Sequence, residues 1–191
     1  RVNNVRNAWK IAHPDAPAMR SFYDSSLWES RQLDSPDSIK NLVRDGVGHT
    51  SAVCVLVGSN TWSRRWVRYE IARAVIDGRG LLAVHLNSLR HHIRLQPDPW
   101  GLNPLACMAV GKVQPDPRLP PQYYLFESTT AGWVRYQDHT TPVALPRYLP
   151  DPTAGYVMDL SNGTVLYDYV SQQGHKHIGA WVDNAAQQVG R

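Results

Sequence analysis

The sequence predicts an α/β fold built on a parallel sheet, and three consecutive segments carry that prediction. Ser51-Ala-Val-Cys-Val-Leu-Val57 is an unbroken apolar, β-branched run that suits a strand buried on both faces. Residues 61–77 carry Val67, Ile71, Ala74 and Val75 at helical spacing, so one side of that segment is apolar. Gly80-Leu-Leu-Ala-Val-His-Leu86 is a second strand-like run. Strand, crossover helix and strand make one βαβ unit, which implies a parallel pair and a right-handed crossover.

The remaining elements follow in chain order. Val2, Val5 and Trp9 recur at i, i+3 and i+7, an amphipathic helix that His13-Pro14-Asp15-Ala16-Pro17 ends. Residues 19–24 read as a short strand, followed by a Ser-rich turn and Leu27-Trp28. Ser35 is a helix N-cap with Pro36 at the first helical position, and that helix runs through Ile39, Leu42 and Val43 to stop near Gly46 or Gly48. Within the βαβ unit, Gly58-Ser59-Asn60 breaks the strand and offers capping side chains, and Gly78 and Gly80 around Arg79 end the helix. Residues 90–104 form a polar, Pro-containing loop, residues 105–110 a further strand, and residues 115–121 a linker with four prolines. Residues 123–126 and 132–136 read as a hairpin joined by residues 127–131. Residues 143–156 are again Pro-rich, and Ile178, Trp181, Val182, Ala185 and Val189 fit a closing amphipathic helix. The expected division is residues 1–113 as the parallel-sheet domain and residues 114–191 as an α/β elaboration packed on it.

Bulk properties exclude several classes. With 191 residues, 42% hydrophobic and 19% charged, the chain is long enough to bury a core and unlike a disordered one. No apolar run reaches the length of a membrane span, so no membrane partner is expected. Cys54 and Cys107 are too few for a disulfide framework, and reduced thiols point to the cytoplasm. Arg64, Arg65, Arg68 and Arg73 share a helix with Trp62 and Trp66. A formal charge of +4 without a nucleic-acid motif nevertheless argues against a phosphate-tracking surface. His91-His92 and His175-x-His177 lack acidic or Cys neighbours at ligand spacing, so no metal is expected, and His85 is expected in the core. No Gly-x-Ser-x-Gly elbow, Gly-x-Gly-x-x-Gly turn or Walker loop occurs.

Glu70 stands out within the central helix. At about 100° per residue it lies roughly 60° from Val67, at the edge of the apolar stripe, with Trp66 one turn before it. A carboxylate there is partly desolvated, and its ionised form needs partners. The position also suits a rim glutamate paired with Arg64, Arg68 or Arg73.

The set Ser59-x-x-x-Ser63-x-x-Trp66-x-x-x-Glu70, placed directly after a buried strand, resembles the TIR-domain signature. Asn7-Ala-Trp9, Phe22-Tyr-Asp-Ser-Ser-Leu-Trp28, Val55-Leu-Val-Gly-Ser59, Trp66-Val-Arg-Tyr-Glu-Ile71 and Gly80-Leu-Leu-Ala-Val84 together look like the TIR-like proteins of bacterial Thoeris antiphage defence. The resemblance covers about half the chain, in the expected order. It implies a flavodoxin-like (TIR-like) parallel sheet with helices on both faces. Its central first strand is not found in this sequence, so a short upstream strand and loop are expected in the natural protein.

The resemblance also implies chemistry: cleavage of the nicotinamide–ribose bond of NAD, which is substrate and not cofactor, with Glu70 as the catalytic residue. The product would be ADP-ribose itself or an ADP-ribose-derived signal nucleotide, cyclic or conjugated, and the sequence does not say which. The signal would reach a separate effector protein after a phage-derived trigger, with a homo-oligomer fitting the same picture. Trp66, Ser59, Asp24 and Trp28 are the expected substrate-binding residues. Asp24 and Trp28 follow the predicted 19–24 strand at the sheet edge where such folds bind ligands, Trp28 suited to stacking on a base and Asp24 to orienting a ribose or an Arg. A loop-packing Trp and a turn-capping Asp fit the same residues. A non-catalytic self-association or partner-binding module is the alternative for the whole chain.

Overall fold

The computed structural model describes residues 35–90, 93 and 95–191, together with Val2 and Val5. Asp24, Trp28 and the predicted strand over 19–24 lie outside the described residues. The ordered elements are α1 (Pro36–Gly48), β1 (Ala52–Val57), α2 (Arg65–Ile76), β2 (Gly80–His85), β3 (Met108–Val113), β4 (Gln122–Thr129), β5 (Gly132–Arg135), β6 (Val157–Asp159), β7 (Val165–Asp168) and α3 (Gly174–Gln188).

The central βαβ unit forms as its apolar pattern dictates. β1 and β2 pair in parallel from Ala52 opposite Gly80 to Val57 opposite His85. Every position of β2 is buried, whereas β1 alternates, with Val53, Val55 and Val57 inside. Helix α2 begins four residues later than its periodicity predicts, because Thr61–Ser63 first closes a 3-10 turn. The Thr61 hydroxyl accepts from the Gly58 N–H at 2.8 Å, so Thr61 does the local capping expected of residues 58–60, and α2 itself has no side-chain cap. The helix ends on Gly78 at φ 60°, with the Gly78 and Arg79 N–H groups bonded to the Val75 and Ala74 carbonyls. That pairing is a Schellman closure, which favours glycine at the left-handed position. α1 starts as predicted, the Ser35 hydroxyl accepting from the Ser38 N–H.

The second half of the chain contributes to both sheets. β3 starts three residues later than the predicted 105–110 strand would begin, because Pro104–Cys107 winds into a 3-10 turn capped by the Asn103 side chain. β5, β4, β3 and β6 form an antiparallel sheet in that order, and the β4–β5 turn is Thr130-Ala131, tighter than the 127–131 connection expected. β7 adds to β2 in parallel, Leu82 opposite Val165 and His85 opposite Asp168, giving the sheet order β1-β2-β7. The boundary expected at residue 113 therefore falls at the end of a strand paired on both sides with later ones.

Helices cover both faces of the parallel sheet, as in a TIR-like α/β fold. On one face α1 and α2 join the antiparallel sheet in a single core that includes Val43, Val55, Ile71, Leu81, Val110 and Leu125. On the other, α3 brings Ile178, Trp181 and Ala185 against Leu82 and Val84, and Val5 is fully buried in the same cluster. Tyr167 and Trp181 stack at 4.2 Å, which fastens α3 to β7. Among the described residues β1 has a strand on one side only. Its other edge is where a flavodoxin-like order places the first strand. No described helix is long and apolar enough to cross a membrane.

The contact of β2 with α3 is made at Gly80, where an added Cβ would sit 2.1 Å from the Ala185 carbonyl oxygen. Backbone cannot yield as a flexible side chain does, so Gly80→Ala should destabilise the protein by about 3 kcal/mol. Gly78→Ala, with open space but φ 60°, should cost about 1 kcal/mol. Urea unfolding midpoints of the two variants would test this, and equal losses would contradict it.

Candidate functional site

Ligands in open α/β sheets bind at the carboxyl ends of the strands. Here the loops leaving β1 and β2 are locked together at that edge. Leu86 continues the ladder by donating to the Val57 carbonyl at 2.9 Å. Asn87, fully buried, then donates through Nδ2 to Ser59 Oγ at 3.3 Å and to the Pro99 carbonyl at 2.5 Å. Ser59 Oγ donates to that same carbonyl at 2.6 Å. Because the Asn87 nitrogen serves two acceptors, its Oδ1 is what faces His85 Nδ1 at 3.0 Å, and the network assigns the ring proton to Nδ1. The loops approach so closely that a Cβ on Gly101 would meet the Gly58 carbonyl at 2.2 Å. His85 is 3% exposed, as expected of a core histidine, and its ring lies 4.1 Å from that of Trp100.

A second cluster closes the end of β7. Asp168 accepts from the Ser88 hydroxyl at 2.8 Å, from the Ser171 N–H at 2.6 Å and hydroxyl at 2.7 Å, and from the Val170 N–H. Burial alone would raise this carboxyl, but those hydrogen bonds hold it below its usual value.

The residues on α2 are held differently. Glu70 is half-buried and engaged, and its carboxylate reaches the Cys54 thiol electrostatically. Burial first, and Glu70 second, push that thiol up to about 12, so it stays protonated. Trp66 packs edge-on against Tyr69, ring centres 6.1 Å apart, with the Arg65 guanidinium 5.1 Å from its own. Two of the arginines that could have made Glu70 a rim partner are committed elsewhere: Arg68 to Glu127 at 2.7 Å and Arg73 to Asp77 at 2.5 Å. Arg65 forks onto Asp138, which Lys40 also contacts at 2.7 Å. The Arg68–Glu127 and Arg65–Asp138 pairs border a cavity of about 300 Å³ lined also by Ser63, Tyr136 and Gln137.

The structure thus places Ser59 in the locked loop edge, and Trp66 and Glu70 one turn apart on α2, with Trp66 taken up in packing. Asn87, Ser88 and Asp168 are not among the residues that the sequence singles out. Their one sequence signal is position, directly after or at the end of a strand whose carboxyl terminus faces the ligand edge.

Comparison with known proteins adds a lineage. Residues 1–91, ending just past β2, match the family described as Thoeris protein ThsB, TIR-like domain. A protein of Bacillus cereus (strain MSX-D12), named "Putative cyclic ADP-D-ribose synthase ThsB1", is 32% identical over 187 residues, spanning 96% of this chain and 91% of its own length.

The hydrogen bonds at Asp168 set a pH dependence. Its carboxyl titrates below the usual value near 3.8 in the folded protein, so ionisation favours folding. That contribution is complete above about pH 5 and is lost as pH falls through 3.8 towards the lower native value. Asp168→Asn should cost about 2 kcal/mol at neutral pH and flatten the acid side of the stability curve. An unchanged acid limb in urea titrations between pH 3 and 7 would refute this.

Proposed function

The chain belongs to the TIR-like family of Thoeris proteins, and we propose that it cleaves NAD between nicotinamide and ribose and closes the ADP-ribose portion into a cyclic signal nucleotide. The observation that carries this reading is the extent of the likeness to the relative named as a cyclic ADP-D-ribose synthase. It runs through the C-terminal half as well as the TIR-like half, so it covers more than a shared fold.

The chemistry needs one well-placed carboxylate. Loss of nicotinamide leaves an oxocarbenium-like ribosyl centre, and an ionised carboxylate beside it stabilises the growing positive charge while holding the ribose hydroxyls. Glu70 is our candidate for that role. Two observations support it: its place on the helix that follows β1 and its half-buried setting. Attack by water on the ribosyl carbon gives ADP-ribose, and attack by a nucleophile of the same molecule gives the cyclic product. Ser59, at the carboxyl edge of β1, is our candidate for a substrate contact, as are Trp66, Asp24 and Trp28. In this reading the product acts on a separate effector protein, and a phage-derived trigger starts its synthesis in the cytoplasm.

Nicotinamide release from NAD by the full-length protein, in lysates of phage-infected cells, tests the proposal. Glu70→Gln should lower it on the order of 1,000-fold while leaving the thermal unfolding midpoint near that of the unaltered protein. The mass of the second product then tells linear from cyclic. Equal release by both proteins would remove Glu70 from the mechanism, and release by neither, with both folded, would favour a non-catalytic module.

A further inference from the structure

The polar lock at the sheet edge has an apolar outcome. Residues 95–103 are drawn back over the β1 loop by Asn87, whose side chain holds Pro99 and whose carbonyl accepts from the Asp98 N–H at 3.0 Å. The next residue, Trp100, lies against the buried His85 ring and is nonetheless 62% exposed. An indole is a large apolar surface to leave in water, and here it is fixed from both sides in sequence. Pro99 is hydrogen-bonded to Asn87 and Ser59, and Gly101 is pressed against the Gly58 carbonyl. The side chain is therefore presented on an ordered support at the carboxyl edge of β2, the edge where this class of sheet binds ligands. A rigid, solvent-facing aromatic ring is a stacking surface for a flat heteroaromatic ring, and it loses little side-chain freedom on binding.

We propose that Trp100, backed by His85 and held by the Asn87–Ser59–Pro99 network, is a stacking subsite for a planar base of the dinucleotide substrate. This rests on the reading of NAD as substrate. Purine and pyridine rings share the required chemistry, and the two ends of NAD each carry one. His85 packs against the ring, and Asn87 holds the preceding Pro99.

The experiment is equilibrium binding of NAD and of ADP-ribose to full-length Glu70→Gln protein, by calorimetry, with Trp100 intact, changed to Ala, or changed to Phe. Trp100→Ala should weaken NAD binding about 10- to 100-fold, and Trp100→Phe should restore most of it, since a ring and not the indole N–H is what the site supplies. An equal loss for ADP-ribose assigns the subsite to adenine, and a loss confined to NAD assigns it to nicotinamide. NAD bound equally with Trp100 intact and after Trp100→Ala would overturn the subsite while leaving the substrate reading standing. NAD bound by none of the three folded proteins would overturn both. Thermal unfolding of each variant separates loss of the ring from loss of the fold.

Discussion

The structure depends on one constraint: β2 is buried at all six positions, and a strand without a solvent face must be covered on both sides and flanked at both edges. α1, α2 and the antiparallel sheet cover one side, and β1 flanks one edge. The C-terminal segment returns to supply most of the other side, where Val5 also packs. β7 takes the free edge of β2, and α3 lies across the second face with Trp181 and Ile178. Gly80 is part of the same solution, since only the absence of a side chain lets the α3 backbone approach the strand. The C-terminal half is thus the closing layer of the sheet, in keeping with a likeness to the Bacillus cereus relative that spans 96% of this chain.

The same burial shapes the ligand edge. Strands covered on both faces end abruptly, and the loops that leave them carry backbone groups that must be satisfied close to the core. Asn87 meets that need with one side chain, joining the loops after β1 and β2 through Ser59 and Pro99 and orienting the His85 ring. Asp168 does the same at β7, gathering the N–H groups of the turn that leads to α3 and reaching Ser88 beside it. Two buried polar residues thereby make the edge firm enough to present exposed side chains in one arrangement.

What the sequence discloses and what it withholds divide along a physical line. Long apolar runs and helical stripes are signals summed over many residues, so β1, β2, α1, α2 and α3 are all legible, and the Schellman end at Gly78 is legible from glycine alone. β6 and β7 are three and four residues long, and β7 exposes Val165 and Leu166. They are strands because β3 and β2 offer them edges, which no local pattern records. The start of α2 departs from its periodicity because Thr61, inside the apparent helix, bonds back to Gly58 and closes a separate turn. At the candidate site, Glu70 is visible because a carboxylate at the edge of an apolar stripe conflicts with its surroundings. Asn87 is not, since a single Asn after a strand becomes a hub only when residues 99 and 59 converge on it.

The charge distribution on α2 gives the helix two different flanks. At about 100° per residue, Arg65 and Arg68 lie roughly 140° and 160° around the axis from Glu70. Those two arginines are bound to Asp138 and Glu127, on or just after strands of the antiparallel sheet, so this flank fastens the second sheet to the helix. An Arg–carboxylate pair that is four-fifths buried, as Arg68 and Glu127 are, resists separation because either partner alone would be left desolvated. Glu70 lies on the other flank, with the Cys54 thiol, held protonated by burial and by the carboxylate itself, among its surroundings.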